Sequence, residues 1–271
     1  MTSRTLYQVD AFAGRLFTGN PAAVMILDAF LPDETLQAIA QENNLAETAY
    51  AVPRADGAFD LRWFTPGTEV AFCGHATLAT AHVLMAEEGL GAAEVRFVTR
   101  HVGTLTVERA GDCYVLDGPA GEPQPIEPPE GLADALGTEP DAVLAGQYLM
   151  AVLPDEASVR ALDPDLLALS RVRSPMPDAG MDAHCVFATA PGERYDFVSR
   201  LFGPTVGIPE DPVTGSAHCM AAPYWARRLG KTTLSAFQAS PRGGAVGCEV
   251  RGDRVRLTGG AVTYMRAALR L

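Results

Sequence analysis

The sequence predicts an α+β fold made of two similar halves, each a β-rich sheet curled around one apolar helix. A motif occurs twice, first as Arg62-Trp63-Phe64-Thr65-Pro66 followed by Cys73-Gly74-His75-Ala76, and again as Arg200-Leu201-Phe202-Gly203-Pro204 followed by Thr214-Gly215-Ser216-Ala217. Each copy follows strand-like residues and precedes a nearly uncharged helix, which is typical of a helix buried on all sides. A proline- and glycine-rich segment separates the two copies.

The length and composition are those of a globular protein with room for two domains. The chain has 271 residues, of which 48% are hydrophobic and 20% charged, and its formal net charge is −12. Each half is long enough for its own core. Because no long basic run is present, we expect no nucleic-acid partner. No stretch resembles a membrane span, so we expect no membrane association.

The expected location is the cytoplasm. The first ten residues lack a basic region followed by an apolar core, so they do not resemble a secretory signal. The cysteines are odd in number and scattered, which predicts reduced thiols rather than a disulfide framework. They lie at positions 73, 113, 185, 219 and 248.

In the first half, two helices and seven strands are predicted. Residues 32–43 place apolar side chains at helical spacing and carry acidic residues in the first turn. Residues 76–85 are small and apolar on every side, which predicts a buried helix. The expected strands are residues 5–12, 22–27, 45–52, 61–64, 94–99, 104–108 and 113–116.

The segment 117–131 contains five prolines and three glycines, a composition that favours a linker. We therefore expect an N-terminal domain over residues 1–118, a linker over 119–131 and a C-terminal domain over 132–271.

The second half repeats the mixture of strands and helices. Residues 217–229 predict an apolar helix that ends at Gly230, with Pro223 causing a kink or a late start. A short helix is expected over 164–170, and one or two strands over 142–152. The other strands are residues 185–189, 197–202, 234–239, 245–251, 255–257 and 262–267.

Both copies of the motif offer a glycine at a helix start, Gly74 and Gly215. A helix start presents unpaired backbone N–H groups and the positive end of the helix dipole, and both favour an anion. Two such starts would suit a small acidic molecule.

Two first-half residues are candidates for acid–base chemistry. Glu47 lies in a strand with no clearly polar face, so its carboxylate would be partly desolvated and usable as an acid or base. The alternative is a strand-edge glutamate in water. His75 follows Gly74 near the positive helix end, which disfavours its charged form. The alternative is a histidine that only caps the helix.

Asp211 and Ser216 are the corresponding candidates in the second half. Asp211 precedes Pro212, so its backbone is extended and its side chain would project just ahead of the helix start. The alternatives are a turn aspartate or a helix cap for Asp211, and a local backbone hydrogen bond for Ser216. The neighbouring Cys and His residues lack zinc-site spacing, so no metal site is predicted.

Several ordered motifs resemble the phenazine-biosynthesis PhzF-like family of isomerases. They run from residue 9 to beyond residue 217, and together they are more specific than any one alone. The motifs are Val9-Asp10-Ala11-Phe12, Gly19-Asn20-Pro21-Ala22, Asn43-Asn44-Leu45-Ala46-Glu47-Thr48-Ala49, Arg62-Trp63-Phe64-Thr65-Pro66, Cys73-Gly74-His75-Ala76-Thr77 and Glu210-Asp211-Pro212-Val213-Thr214-Gly215-Ser216-Ala217.

The resemblance implies a diaminopimelate epimerase-like fold. In that fold each of two domains is a β-barrel-like sheet around a central helix, and the active site lies in the cleft between them. The last strand often returns to the N-terminal domain. The resemblance further implies a homodimer that uses neither a metal nor an organic cofactor.

The resemblance also implies roles for particular residues. Glu47 matches the family's acid–base glutamate, while His75 and Asp211 match residues that orient the substrate and assist proton movement. Gly74, Gly215 and Ser216 match substrate-binding positions, and Cys73 and Thr214 lie beside them. The implied reaction is a cofactor-independent isomerisation, in which a proton moves between carbons of a small anionic, carboxylate or amino acid-like substrate.

Related epimerases and racemases use one cysteine at each helix start. Here Cys73 holds the first position, but Thr214 holds the second, and a hydroxyl is too weak an acid to replace a thiol. Two alternatives stay open: an epimerase or racemase with a different base pair, and a non-catalytic ligand-binding or interaction protein on the same fold. Substrate choice is expected to depend on loops such as residues 172–183.

Overall fold

The computed structural model describes residues 3–175 and 181–271, and the chain divides into two compact units. The first unit comprises Met1–Asp117 with Thr258–Leu271, and the second comprises Gly118–Leu257. Part of the loop 172–183, on which substrate choice was expected to depend, lies outside the described residues.

The described residues form short helices and many strands. None of these helices combines the length and the apolar character needed to cross a membrane. The helices are α1 Asp33–Asn43, α2 Gly74–His82, α3 Leu132–Leu136, α4 Glu156–Ala161, α5 Leu166–Leu169 and α6 Gly215–Leu229. A π-helical turn, Val83–Glu87, follows α2, and 3-10 turns lie at Met181–His184 and Pro204–Val206.

The strands of the first unit are β1 Ser3–Ala11, β2 Asn20–Ile26, β3 Glu47–Pro53, β4 Phe59–Phe64, β5 Glu69–Val70, β6 Glu94–Val98, β7 Thr104–Ala110 and β8 Cys113–Pro119, the last of which ends just inside the second unit. Those of the second unit are β9 Gln124–Ile126, β10 Ala142–Ala145, β11 Leu149–Val152, β12 Val186–Pro191, β13 Phe197–Gly203, β14 Ile208–Asp211, β15 Thr233–Gln238 and β16 Gly244–Arg251. The last strand, β17 Arg254–Arg270, begins in the second unit and ends in the first.

The first unit is a closed barrel around one helix. Its pairings run β1–β2–β3–β4–β6–β7–β8–β17 and return to β1. Helix α2 contacts β1, β2, β3 and β7, and every α2 residue from Gly74 to Ala81 is buried. Small residues such as Ala76 and Ala79 keep the helix thin enough for the barrel to close around it. The predicted α+β class, with a sheet wrapped around an apolar helix, is confirmed.

The second unit repeats the connectivity of the first. The parallel pair β2–β3 corresponds to β11–β12, and the antiparallel pair β3–β4 corresponds to β12–β13. The parallel pair β4–β6 corresponds to β13–β15, and α2 and α6 occupy the same place in the two connections. Helix α6 packs on β15 and β16. The motif that occurs twice in the sequence therefore reflects two similar domains, as predicted.

The arginine of each motif copy forms a two-pronged ion pair inside its own unit. Arg62 donates from Nε and Nη2 to the two carboxylate oxygens of Glu69, both at 2.7 Å. Arg200 donates in the same way to Glu210, at 2.7 and 2.9 Å. Each guanidinium also lies over the phenylalanine two residues further on, with centroid distances of 5.0 and 4.8 Å. The motif therefore ties β4 to β5 and β13 to β14, just ahead of each helix start.

The observed unit bounds differ from the expected domain bounds in two places. The expected linker, residues 119–131, belongs to the second unit and includes β9, which pairs with β10 although Pro125 lies in it. Proline is tolerated in such a short strand where its missing N–H is not needed for pairing. Residues 258–271 belong to the first unit and not to the domain 132–271, as the family resemblance implied for the last strand, because β17 pairs with β1 along most of its length.

One long strand replaces the two that were expected near the C-terminus. The prediction separated residues 255–257 from 262–267 at Gly259-Gly260, but β17 continues through both glycines. A Cβ atom at Gly259 would lie 2.3 Å from the Phe12 ring, and one at Gly260 would lie 2.5 Å from the Ala13 carbonyl oxygen. The glycines therefore allow a close approach to the end of β1 and do not make a turn.

The helix predictions were wrong in detail at several points. Helices α2 and α6 begin two residues earlier than expected, at Gly74 and Gly215, and α6 continues through Pro223 without a late start. The short helices α3 and α4 were not predicted. Each has fewer than seven residues, which is too short for a clear helical period.

Replacing Arg62 with alanine is expected to lower the free energy of unfolding by about 2–4 kcal/mol, because Glu69 would keep a half-buried charge with only the exposed Arg100 as its partner. Urea denaturation measures the loss. Arg54→Ala is the matched control, since its pair with Asp60 is more than a third exposed on both sides and should contribute less than about 1 kcal/mol. Equal losses in the two variants would contradict the structural role of the motif arginine.

Candidate functional site

The first group of candidate residues lies where β3 and α2 begin, within the first unit. Glu47 is the first residue of β3, and Cys73 directly precedes α2 in an extended conformation. His75 is the second residue of α2. The parallel pairing of β2 with β3 brings Asn20, the first residue of β2, to the same end of the barrel. Residues at the starts of β2, β3 and α2 therefore form one compact polar group.

His75 is the centre of this group. Its Nε2 atom lies 3.1 Å from Oε2 of Glu47. Its Nδ1 atom lies 3.5 Å from Sγ of Cys73 and 3.2 Å from the side-chain nitrogen of Asn20. The side chains of His75 and Glu47 are only 7% and 12% exposed. Both ring nitrogens thus face polar atoms in a nearly dry setting.

The contact between His75 and Glu47 is close but poorly aligned. Among the described residues, neither Nε2 of His75 nor Oε2 of Glu47 has a partner that meets hydrogen-bond geometry, although the two atoms lie 3.1 Å apart. Buried polar atoms of this kind usually find partners, because an unmade hydrogen bond costs roughly 1–3 kcal/mol. The pair therefore keeps capacity to bind another polar group.

Electrostatics in this group favour a charged imidazole and a neutral thiol. Burial lowers the pKa of His75, but negative charge on Cys73 and on Glu47 raises it, and the net shift is upward. Because Cys73 is itself a thiol near neutral pH, Glu47 supplies the charge that acts on the imidazole there. The expectation that the helix start would favour neutral His75 omitted this carboxylate. Burial raises the pKa of Cys73 to about 11, and the Glu47 charge adds to that rise. Cys73 is therefore a thiol near neutral pH, not a ready nucleophile.

The start of α2 presents backbone donors, and one of them faces a side chain. The Ala76 N–H lies against the Cys73 sulfur and opposes the rise in the pKa of its thiol. The hydroxyl of Thr77 donates to the Cys73 carbonyl at 2.6 Å, one turn into the helix. Gly74 is the first helical residue, and a Cβ there would lie 3.4 Å from Leu116. The first N–H groups of the helix can therefore meet an anion.

The second group of candidates surrounds the start of α6, within the second unit. Asp211 ends β14, and its carboxylate accepts a short hydrogen bond from the Thr214 hydroxyl. Gln238, the buried last residue of β15, holds the same loop from the other side. Its amide nitrogen donates to the Asp211 carbonyl at 2.6 Å, and its oxygen accepts from the Thr214 backbone at 2.8 Å. These hydrogen bonds hold the loop before α6 in place.

Ser216 and His218 lie in the first turn of α6 and differ in environment. The Ser216 hydroxyl is 2.7 Å from the hydroxyl of Tyr148, which directly precedes β11. His218 is fully buried, with its Nδ1 atom 2.8 Å from the Thr214 carbonyl oxygen. Burial lowers its pKa to about 4, so this ring stays neutral and acts in packing.

The structure thus groups the predicted residues within each unit. It brings Glu47, Cys73 and His75 together in the first unit, and Asp211 and Thr214 together in the second. Gly74 and Gly215 are the first residues of α2 and α6, as a role at the helix start requires. Sequence reasoning missed three residues that contact the candidates: Asn20, Gln238 and Tyr148. Of these, Asn20 lies in the Gly-Asn-Pro-Ala motif, which was a signal in the sequence.

The group also contains a set of potential metal ligands that local spacing did not reveal. Glu47, Cys73 and His75 each offer one ligand atom, and these atoms all lie within 4.8 Å of one another. The prediction of no metal site considered residues close in sequence. Here the carboxylate comes from β3 and the other two ligands from the start of α2, so only folding assembles the set.

Comparison with known proteins identifies the family of this chain. Residues 9–267 match the family described as phenazine biosynthesis-like protein, PhzC-PhzF. An uncharacterized isomerase of Pseudomonas aeruginosa is 52% identical over 267 residues, which cover 98% of this chain and 99% of the relative. The crystal structure of a PhzF-family phenazine biosynthesis protein from Enterococcus faecalis has a TM-score of 0.94 at 42% identity, and both chains are covered completely.

A more distant likeness concerns the fold alone. A hydroxyproline epimerase from Agrobacterium vitis has a TM-score of 0.59 at 11% identity, and the match covers 98% of this chain and 92% of the epimerase. The fold is therefore shared with epimerases, as expected for the epimerase-like class.

The low pKa of His218 predicts acid sensitivity. The folded state holds this ring neutral down to about pH 4, whereas the unfolded chain takes up its proton near the ordinary value of 6.5. Stability is therefore complete above pH 6.5 and falls as the pH drops toward 4, by up to about 3 kcal/mol for a shift of this size. Urea denaturation of His218→Gln between pH 4 and 7 should show a flatter profile than the unchanged protein. The exposed His101→Gln is the control, and an unchanged profile in His218→Gln would refute the assignment.

Replacing Glu47 with glutamine should lower the pKa of both His75 and Cys73, because the carboxylate raises both. NMR titration of the histidine rings reports the first shift, and the pH dependence of Cys73 alkylation reports the second. Glu34→Gln, at an exposed position of α1, should change neither value. Unaltered titration of His75 in Glu47→Gln would show that the two side chains are not electrostatically coupled.

Proposed function

Because this chain belongs to the PhzF-like family of isomerases, we propose that it is a cofactor-independent isomerase that moves a proton between carbons of a small carboxylate or amino acid-like substrate. The family resemblance inferred from the sequence motifs is confirmed by these comparisons. The substrate and the catalytic steps are the proposal.

The observation that carries the proposal is the incompletely paired, buried contact between Glu47 and His75. A carboxylate this far from water, 3.1 Å from an imidazole and without a well-aligned partner among the described residues, is costly unless a ligand completes it. Such groups with free capacity are typical of sites that bind and react. Glu47 also matches the position of the family's acid–base glutamate.

In the proposed reaction Glu47 acts as a single base and then as a single acid. Its carboxylate takes a proton from one substrate carbon, and the electron pair left behind shifts the neighbouring double bond. The proton on the carboxyl exchanges with solvent, and the carboxyl then protonates a second carbon, so that the double bond moves and no oxidant or reductant is needed. The N–H groups at the start of α2 would stabilise the negative charge on the substrate between the two steps.

His75 would assist this transfer without being the base. Its raised pKa makes it a hydrogen-bond donor at neutral pH, suited to a substrate oxygen or to the Glu47 carboxylate. Cys73 would contribute a neutral thiol and shape the helix start. In the second unit, Asp211, Thr214, Gly215 and Ser216 are proposed to bind polar groups of the substrate, in the roles that the family resemblance implies.

Comparison of the two repeats argues against a racemisation that uses two thiols. Thr214 occupies the place of the second thiol, and its hydroxyl already donates to Asp211. The strand registers also match Glu47 with Cys185, because Tyr50 pairs with Arg62 as Ala188 pairs with Arg200. The second repeat therefore has no carboxylate at the position of Glu47, which suits a one-base reaction. On the family resemblance we also propose that the protein acts as a homodimer in the cytoplasm.

Deuterium transfer tests the proposal. A panel of small unsaturated carboxylates and amino acids is incubated with the enzyme in ²H₂O, and mass spectrometry and NMR locate incorporated deuterium. A substrate should gain deuterium at a carbon next to a moved double bond. Glu47→Gln should reduce this rate by about 10²–10⁴-fold, the usual contribution of a positioned acid–base group.

The matched control is Glu42→Gln, at an exposed position near the end of α1, which should react at the unchanged rate. Thermal-shift measurements with the reactive compound should show that Glu47→Gln still binds it. Full activity in Glu47→Gln would overturn the one-base mechanism. Deuterium at an inverted α-carbon would favour an epimerase, and binding without exchange across the panel would favour a non-catalytic binding protein.

A further inference from the structure

The group formed by Glu47, Cys73 and His75 carries the oxygen, sulfur and nitrogen donors that zinc binds in proteins. We propose that this group binds one zinc ion when no substrate is present, and that the ion inhibits the enzyme. The ion would be an inhibitor and not a cofactor. The binding part depends only on the geometry below, whereas the inhibition part rests on the proposed function.

Two of the three ligands already stand at the separation that zinc requires. Zinc–sulfur and zinc–nitrogen bonds of about 2.3 and 2.0 Å at a tetrahedral angle place the two ligand atoms roughly 3.5 Å apart. The Sγ atom of Cys73 lies 3.5 Å from Nδ1 of His75. The ion can therefore bridge these atoms without movement of the backbone, once the Asn20 amide gives up its contact to Nδ1.

The third ligand needs a side-chain movement. The ligand atoms of the three residues lie within 4.8 Å of one another, but Oε2 of Glu47 faces Nε2 of His75 at 3.1 Å and not the Nδ1 atom beside Cys73. The carboxylate must therefore turn about its side-chain bonds toward the ion, until its oxygen lies about 3.3 Å from Nδ1. The loss is small, because the present contact of Glu47 with Nε2 of His75 is poorly aligned.

Charge balance supports a divalent cation at this buried position. Zinc carries two positive charges, and the Cys73 thiolate with the Glu47 carboxylate supplies two negative charges. On binding, the thiol and the charged imidazole each lose one proton to solvent, as the zinc–sulfur and zinc–nitrogen bonds form. The complex is therefore neutral overall, which avoids an unpaired charge in a dry setting. The fourth tetrahedral position stays open for water.

Inhibition follows from the roles of the ligands in the proposed reaction. A zinc-bound Glu47 cannot take a proton from carbon, and a zinc-bound His75 cannot orient the substrate. Zinc and substrate would then compete for the same residues. The proposal explains why a cluster with three metal-binding donors can belong to an enzyme that is proposed to need no metal.

Cobalt and zinc binding test the proposal without any substrate. The protein is freed of metals with a chelator, dialysed and titrated with CoCl₂. One equivalent should produce a sulfur-to-cobalt charge-transfer band together with the visible bands of a tetrahedral site, and one equivalent of ZnCl₂ should abolish both. Cys73→Ser should lose the charge-transfer band, and Glu47→Gln should bind zinc at least tenfold more weakly.

The matched control is Cys113→Ser, which removes another free cysteine of the first unit and should leave the cobalt spectrum unchanged. Circular dichroism establishes that each variant is folded. A charge-transfer band that persists in Cys73→Ser, or the lack of one-to-one binding in the unchanged protein, would overturn the proposed site.

The two proposals fail in different ways. If zinc binds but no compound exchanges deuterium, the metal site stands and the isomerase proposal fails. If a substrate exchanges deuterium at the same rate with and without one equivalent of bound zinc, the inhibition is refuted while the isomerase proposal stands.

Discussion

The buried ion pair between the motif arginine and its glutamate is the interaction on which both halves of this protein depend. Arg62 with Glu69, and Arg200 with Glu210, join a long strand to a very short one immediately before a helix starts. Burying such a charge is costly, so the two-pronged geometry and the aromatic ring beside each guanidinium are needed to hold it. The same device in each unit fixes where the next helix begins, and the candidate residues lie at those helix starts.

The repeated framework carries different chemistry in its two copies. In the first unit the residue before the helix is Cys73, which faces an imidazole and a carboxylate. In the second unit it is Thr214, whose hydroxyl donates to Asp211 within a loop that Gln238 holds on both sides. The first arrangement retains unused hydrogen-bonding capacity, while the second is closely satisfied. The two copies therefore differ in what they offer: the first unit carries unused hydrogen-bonding capacity, and the second carries a rigid set of polar contacts.

The sequence supported correct predictions where the signal came from residues that are close together in the chain. The doubled motif indicated two similar halves, and the uncharged runs indicated the two buried helices, because helical period and composition are properties of neighbouring residues. The same reasoning was wrong at Gly259-Gly260, where two glycines were interpreted as a break. Their purpose is the close approach of Phe12 and Ala13, which lie almost 250 positions away in the chain and give no local signal. The linker prediction for the proline-rich segment was wrong for the same reason, because β9 pairs with residues of β10 that lie further along the chain.

The sequence by itself determined the fold class, the family and the identity of the candidate residues, because each depends on residue types at set spacings along the chain. Only the tertiary structure decided how those residues meet. Glu47 reaches His75 because β3 and α2 start at the same end of one barrel, and that proximity raises the pKa of His75. Burial, with a smaller contribution from the Glu47 charge, raises the pKa of Cys73 to about 11. Burial and Coulomb forces act through space, so their effects appear once the chain has folded.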